Sequence, residues 1–270
     1  EVARAGCRAL WNLASAVENS VPLLRDGVHT AVMAAARAHA GDVEVVRAAC
    51  GALRNLADTA DNKIPLFHEG AHTAVMAAAR VHSGDLDVAR DACCTLGNLA
   101  YAADDNGVPL MRAGAHTAVM AAARAHSSDV EVARAVCATL WALSITADNC
   151  VPLVRDGAHT AVMAAARAHA GDVEVARAAC GALQNLAVAA DNKVPLFRSG
   201  AHTAVMAAAR AHAGDVEVAR AACGALQNLS IAADNKAPLV RDGAHTAVMA
   251  AARAHAGDIE VARAACGALQ

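Results

Sequence analysis

Thirteen histidines and nine cysteines are the residues of this 270-residue chain best equipped for metal or nucleophilic chemistry. Twelve of the histidines form pairs ten residues apart, as at His202 and His212. Ten residues is about 280° around a helix, so the two rings do not share a face as an i, i+4 metal pair would. Histidines of successive pairs are too far apart to hold one ion at about 2 Å per bond. No metal and no cofactor are expected. Protonating all thirteen would make a net charge of −3 strongly positive, so sensitivity to acid is the expected consequence of this composition.

Seven cysteines are in phase: Cys7, Cys50, Cys93, Cys137, Cys180, Cys223 and Cys266. Neighbours in that series are expected about a helix-packing distance apart, roughly 8–10 Å, whereas a disulfide needs Cα atoms within about 7 Å. Buried free thiols and a reducing compartment, cytoplasmic or nuclear, follow. Cys150 is out of phase and stands at a helix start where later copies have Lys193 and Lys236. A thiol pKa falls at such a place, but a tolerated surface substitution is the preferred reading. No Gly-rich phosphate loop is present, and His and Asp recur in every copy. No catalytic residue is assigned, and the chain is not expected to be an enzyme.

The elements that position these residues repeat. His-Thr-Ala-Val-Met-Ala-Ala-Ala-Arg occurs six times, opening at His29, His72, His116, His159, His202 and His245, with spacings of 43, 44, 43, 43 and 43. That period is the mark of a helical solenoid, in which each unit contacts only its neighbours. Apolar residues make up 56% of the chain and aromatics 2%, so the core must be built from small and aliphatic side chains over many stacked interfaces. Charged residues interrupt every apolar run, so no membrane span is expected, and the net charge argues against a nucleic-acid surface. The chain has no initiator Met and no leader-like opening, and it is read as a stretch of a longer array.

Residues 174–216 serve as the type unit. Asp172 is placed to cap a long amphipathic helix from Val173 to about Ala189, with Glu174 in its first turn. Asp191 and Asn192 break it and cap a short helix, with Pro195 in the first turn and Gly200 as a left-handed C-cap. A further helix spans about Thr203 to His212.

Glu174 to Ala187, with its Ala-Leu-x-Asn-Leu-Ala core, resembles the third helix of an armadillo repeat, and the short and medium helices resemble the first and second. The resemblance covers the whole chain. It implies an all-α, right-handed α-solenoid superhelix of three-helix repeats: a single array with units at about 1–43, 44–86, 87–130, 131–173, 174–216 and 217–259, and a partial unit at 260–270. In the second helix, Ala replaces the family's usual Leu pair, and His-Thr stands where Ile-Pro is common.

The copies differ mainly in the third helix. Counted from its acid (Glu1, Glu44, Asp87, Glu131, Glu174, Glu217, Glu260), slot eight reads Arg8, Gly51, Cys94, Ala138, Gly181, Gly224, Gly267. Slot eleven reads Trp11, Arg54, Gly97, Trp141, Gln184, Gln227, Gln270, and slot fifteen Ser15, Asp58, Tyr101, Ile145, Val188, Ile231. These slots share one helical face, which lines the concave groove in armadillo arrays. Beside it, at slot twelve, runs a ladder of Asn12, Asn55, Asn98, Asn185 and Asn228, interrupted by Ala142. An Asn amide matches the N–H and C=O of an extended peptide. Two extended residues span roughly 6.7 Å, which a curved stack of roughly 8–10 Å pitch can match on its inner side. In the family such asparagines hold partner backbones, and the resemblance implies that role here; the alternative is that they brace neighbouring helices.

Trp11, Trp141 and Tyr101 are candidate apolar anchors, unless the tryptophans only cover small residues beside them. Importin-like armadillo proteins place Trp four residues before the Asn, and this chain does not. Arg4, Arg47, Arg90, Arg134, Arg177 and Arg220 form a second ladder, each three residues after an acid. Paired with those acids they are ordinary helix-surface charge; partly free, they would contact an acidic partner.

The expected function is a non-enzymatic scaffold binding an extended protein segment. One alternative is a spacer associating head to tail through uncapped ends, with its groove empty. Another is an engineered array. Units 174–216 and 217–259 differ at six of 43 positions, mostly by conservative swaps such as Val188 for Ile231, which reads as drift after duplication.

Overall fold

The computed structural model describes residues 1–101 and 106–269. The extra residue of the third unit, placed near Asp104-Asp105, and Gln270 of slot eleven lie outside them. The chain divides into two compact units, residues 1–143 and 144–270.

The first unit holds α1 (Val2–Ala14), α2 (Val17–Arg25), α3 (Val28–Ala38), α4 (Val43–Asp58), α5 (Ala60–His68), α6 (Ala71–Val81), α7 (Leu86–Ala100), α8 (Gly107–Arg112), α9 (Ala115–Ala125) and most of α10 (Val130–Ile145). The second holds α11 (Ala147–Arg155), α12 (Ala158–Ala168), α13 (Val173–Leu186), a 3-10 turn (Ala190–Asn192), α14 (Lys193–Arg198), α15 (Ala201–Ala211), α16 (Val216–Ser230), α17 (Ala233–Arg241), α18 (Ala244–Ala254) and α19 (Ile259–Ala268). Every regular element among the described residues is helical, and none is long and apolar enough to cross a membrane.

Each unit is a solenoid of long, short and medium helices. Third helices stack on third helices, α1 on α4 and α4 on α7 in the first unit, and α13 on α16 and α16 on α19 in the second. Second helices stack likewise, α3 with α6 and α9, and α12 with α15 and α18. The cores are Leu, Val, Ala and Cys, with Leu53, Leu56, Leu96, Leu99, Leu186 and Leu229 wholly enclosed. The in-phase cysteines are free thiols, all buried except Cys266. Burial pushes Cys50 and Cys180 up to about 12 and Cys223 to about 11, so these thiols stay protonated and inert.

The local grammar follows the expected order, with differences of a turn. Asp172 caps α13 by accepting the Val175 N–H at 3.0 Å. Gly200 adopts φ +86° between the first and second helices, as do its counterparts Gly27, Gly70, Gly114, Gly157 and Gly243 at +76° to +88°. That left-handed backbone is cheap only for glycine. The long helix stops at Leu186 rather than about Ala189, and the Asn192 amide takes the Leu186 carbonyl. In α5 the Asn62 N–H bonds the Thr59 carbonyl and starts the helix early, so Pro65 lies inside it rather than in its first turn; α2, α11 and α17 do the same.

The asparagine of the short helix joins one repeat to the next. Asn62 donates to the carbonyls of Leu56 and Ser20, both at 3.0 Å. Asn192 donates to Leu186 and Cys150, both at 2.9 Å, and Asn235 to Leu229 at 3.0 Å and Lys193 at 3.1 Å. These side chains are at most 2% exposed. Each satisfies the orphan carbonyl at the end of a third helix and a carbonyl one repeat earlier. The second histidine of each pair does similar work: His82, His126, His212 and His255 donate through Nε2 to Ala40, Ser83, Ala170 and Ala213 carbonyls at 2.7–3.0 Å.

Replacing Asn192 by Ala leaves two buried carbonyls without a donor, at roughly 1–3 kcal/mol each. The expected result in chemical denaturation is a loss of a few kcal/mol, against well under 1 kcal/mol for the exposed neighbour Asp191→Ala; equal losses would remove the staple.

Candidate functional site

The third-helix face is where the candidate residues meet, and their roles divide slot by slot. Slot eleven packs on slot eight of the next repeat. A Cβ on Gly51 would lie 2.7 Å from the Trp11 indole, one on Gly224 2.4 Å from the Gln184 amide, and one on Gly267 2.1 Å from the Gln227 amide. Trp11 therefore covers the glycine of the next repeat, the covering role foreseen as its alternative, and remains half-exposed. Gly97, the one glycine in slot eleven, lies against Thr139, to which a Cβ would come within 2.8 Å. Much of the variation in slots eight and eleven is thus internal complementarity.

Arg54 shows the same logic with charge. Its Nη1 lies 3.0 Å from Asp91, which is 2% exposed and also meets Arg90 Nε at 3.2 Å. Asp91 is missing from the expected site residues, yet it is the only acid in slot five, 37 residues after the only arginine in slot eleven. Comparing copies for paired exceptions finds it.

The arginine ladder is engaged within the protein. Arg4, Arg47, Arg177 and Arg220 pair with Asp42, Asp85, Asp215 and Asp258, each of which also caps the next third helix. Arg47, Arg134, Arg177 and Arg220 also reach the acid three residues before them at 2.6–2.9 Å. Arg90 likewise reaches the acid before it, Asp87, at 3.0 Å, and its second partner is Asp91. Hydrogen bonds from Arg177 and Arg220 hold the Asp215 and Asp258 carboxyls down at about 2.

The slot-twelve asparagines separate into two groups. In the second unit Asn185 donates to Ser144 Oγ at 3.2 Å and Asn228 to the Gln184 carbonyl at 3.1 Å, so both brace the previous repeat. In the first unit Asn12, Asn55 and Asn98 have no side-chain hydrogen bond among the described residues. Asn55 and Asn98 line a small polar depression of about 120 Å³ with Ser15, Arg54 and Asp58. Beyond it, Tyr101 is 42% exposed and meets Trp141 edge-on with ring centres 6.1 Å apart.

Slot fifteen faces outward. In the second unit Ile145, Val188 and Ile231 are 54%, 60% and 62% exposed, one per repeat, beside Gln184 and Gln227. Cys150 needs a correction, because it is buried, at 3% exposure, and not a surface substitution. Its thiol donates to the Ser144 and Asn185 carbonyls at 3.4 and 3.5 Å, and burial raises its pKa rather than lowering it. A lysine fits the same slot by reaching a carbonyl, as Lys193 reaches Val188 at 3.4 Å.

The first histidine of each pair is enclosed beside Phe or Thr: His72 stacks on Phe67 at 4.5 Å and His202 on Phe197 at 4.2 Å. His202 also meets Asp242 at 3.2 Å, and His29 meets Glu69. Among the described residues no cluster of His, Cys, Asp and Glu is arranged to hold a metal.

Repeat length, helix order and this stacked third-helix face have a counterpart among known families, since the model of the LRRK2 ARM repeat matches residues 25–149 and 157–270. The chain belongs to the LRRK2 ARM repeat family. No curated protein matches it. Among solved structures it is similar to an engineered protein, with a TM-score of 0.72 and 20% identity over 84% of this chain and 90% of that one. It is also similar to a chain in a structure concerned with the interaction between cadherin and β-catenin, with a TM-score of 0.60 and 19% identity over 97% of this chain and 59% of that one. At these identities the likeness establishes the armadillo fold.

Two measurements follow from this geometry. Gly51→Ala should displace the rigid Trp11 ring, cost about 1–3 kcal/mol and shift the tryptophan emission, and Trp11→Gln should relieve most of that cost. Additive losses in the double variant would dissolve the contact. The second is acid titration. His72 and His159 are held neutral by burial, so stability is full above about pH 6.5 and falls as the unfolded chain takes up protons below it. Asp215 and Asp258 contribute stability that is present above about pH 4 and lost as pH falls toward 2. Thermal midpoints of Asp215→Asn/Asp258→Asn should fall less between pH 4 and 2 than those of the wild type; parallel curves would exclude the pairs as the cause.

Proposed function

We propose that the chain is an interaction scaffold whose third-helix face binds an extended segment of another protein. The observation that carries this reading is the row of asparagine amides, part-exposed aromatic rings and exposed aliphatic side chains on that face. In the first unit these are the Asn55 and Asn98 amides in one polar depression, with Asn12 and Trp11 beside it toward the start of the unit and Tyr101 and Trp141 toward its end. In the second they are the exposed Ile145, Val188 and Ile231, with Gln184 and Gln227 alongside.

Each unit offers its own kind of contact. Asn55 and Asn98 offer a donor and an acceptor each to a peptide backbone, and Asp58 and Arg54 select polar side chains around them. In the second unit the apolar row takes aliphatic or aromatic side chains, while Asn185 and Asn228 keep their oxygens for a backbone N–H. The slot-four arginines sit at the margin with their aspartates already bound, so an acidic flank would have to displace an internal carboxylate. The armadillo family consists typically of scaffolds rather than enzymes, and the β-catenin structure that the chain resembles concerns an interaction with cadherin. The free buried thiols support a reducing compartment.

The test is selection from an extended-peptide library on the wild type and on Asn55→Ala/Asn98→Ala/Asn185→Ala/Asn228→Ala. Enriched peptides that the variant no longer retains are expected, with at least tenfold weaker binding. Enrichment of nothing, together with concentration-dependent end-to-end association, would replace the scaffold by the spacer. Because Asn185 and Asn228 brace helices, Asn55→Ala/Asn98→Ala alone, checked by its melting curve, separates lost binding from lost folding.

A further inference from the structure

The second helices present a different surface, identical in every copy. Nine consecutive residues, His-Thr-Ala-Val-Met-Ala-Ala-Ala-Arg, recur six times without change, while the short helices before them vary at most positions. Packing explains the inward ones, since Val32, Val75 and Val119 are enclosed. Local hydrogen bonds account for the Thr, which meets the Gly27 carbonyl at Thr30 and the preceding histidine at Thr117, Thr160, Thr203 and Thr246, but not for the Arg, which is exposed in all six copies. A cation in the last turn is favoured by the helix dipole, but Lys would serve there equally, and the dipole places no demand on the exposed Ala.

Two further observations concern what this face offers. The arginines that end it, Arg37, Arg80 and Arg124 in the first unit and Arg167, Arg210 and Arg253 in the second, have no ion pair or hydrogen-bonding partner among the described residues. This is the opposite of the slot-four ladder, whose charge is consumed internally. Between successive second helices of the first unit lie alanine-lined clefts of about 430 Å³ (α3 and α6) and 580 Å³ (α6 and α9), with Arg37 and the Glu69 that meets His29 at the first, and Arg80 at the second. These volumes are in the range of ligand-binding clefts, and they exist because Ala lies where larger residues would close the gap.

We infer that the second-helix face of each unit docks an acidic amphipathic helix of a partner protein, carboxylates meeting the unpaired arginines and, in the first unit, apolar side chains entering the alanine clefts. The spacing fits such an occupant. Carboxylates seven residues apart on a helix are roughly 10.5 Å apart, close to the roughly 8–10 Å between stacked helices that carry one arginine each. A nucleic acid fits less well, since a duplex presents a phosphate charge about every 1.7 Å against one arginine per repeat, on a chain of net charge −3. This surface is separate from the third-helix face and does not depend on it.

The test is fluorescence anisotropy with a labelled four-heptad helical peptide carrying Glu at one heptad position and Leu at the adjoining ones. A Gln-for-Glu version and a labelled 20-base-pair DNA duplex serve as comparisons. The wild type should bind the Glu peptide, at least tenfold more weakly when Glu becomes Gln or when all six arginines become Gln (Arg37, Arg80, Arg124, Arg167, Arg210, Arg253). The groove variant Asn55→Ala/Asn98→Ala should bind it unchanged, which keeps this surface distinct from the proposed groove. If the sixfold variant does not fold, Ala121→Glu, an exposed change at the cleft between α6 and α9, should weaken binding on its own. No binding by the wild type, equal binding by the charge variants, or equal affinity for the duplex would overturn the proposal.

Discussion

Register along each unit depends on one carboxylate doing two tasks. Asp85 accepts the Val88 N–H that opens α7 and also takes Nε of Arg47, fixed on α4. Asp42, Asp215 and Asp258 repeat the arrangement with Arg4, Arg177 and Arg220. A cap contributes about 0.5–2 kcal/mol and an exposed ion pair about 0–1 kcal/mol, so the effect is less one of energy than of position. The same carboxylate serves both, so a third helix cannot start one residue early or late without losing the guanidinium of the helix before it. The buried asparagines and the donating histidines extend that constraint across the repeat, each tying a side chain to a backbone carbonyl about 42 residues earlier. Since the core lacks large anchors, these polar ties set the spacing that small apolar side chains alone would leave loose.

Once the stack is in register, third helices approach closely enough that a side chain on one decides what the next can carry. The rigid Trp11 ring demands Gly51, the flexible Gln184 amide rests on Gly224, and the absence of a side chain at Gly97 leaves room for Thr139. Arg54 is accommodated by placing Asp91 in an otherwise apolar slot, where burial would be costly without the two guanidiniums beside it. Variation along this face is therefore of two kinds. Slots eight and eleven vary together because they touch. Slot fifteen varies at the surface, with Tyr101 against Trp141 but Ile145, Val188 and Ile231 exposed, and it is there that differences between repeats remain available to another molecule.

The features legible in the sequence are those whose causes are local. The period, the helix order, the Asp caps, the left-handed glycines and the buried thiols each follow from a few adjacent residues, and the structure places them where those residues require. The partners of the arginine and asparagine ladders were harder to read, because they lie 37–44 residues away and a single repeat contains only half of each contact. Asn55 and Asn228 occupy the same slot, yet only the second donates to its neighbour. Cys150 was misjudged because a helix start was taken for surface; its slot is closed over by the third helix that ends at Leu186, whose Asn185 carbonyl receives the thiol. The Arg54–Asp91 pair is the instructive case, since two exceptions in different slots of adjacent copies were present in the sequence and only their adjacency was not.

The two faces of the solenoid show how one compositional choice has opposite consequences. Alanine and glycine on the third helices let the backbones close up, so that Arg4, Arg47, Arg54, Arg177 and Arg220 each find a carboxylate in the next repeat. Alanine on the second helices, where no facing side chain fills the space, leaves clefts between α3, α6 and α9 and leaves Arg37, Arg80 and Arg124 without counter-ions. A charge satisfied internally is a poor handle for a partner, because the partner must first replace the carboxylate already bound; an unpaired one costs only its hydration. The allocation of arginines, rather than their number, therefore decides where an acidic surface could dock: the proposed acidic partner would go to the second-helix side, while the third-helix face offers Asn side-chain amides and exposed aliphatic groups.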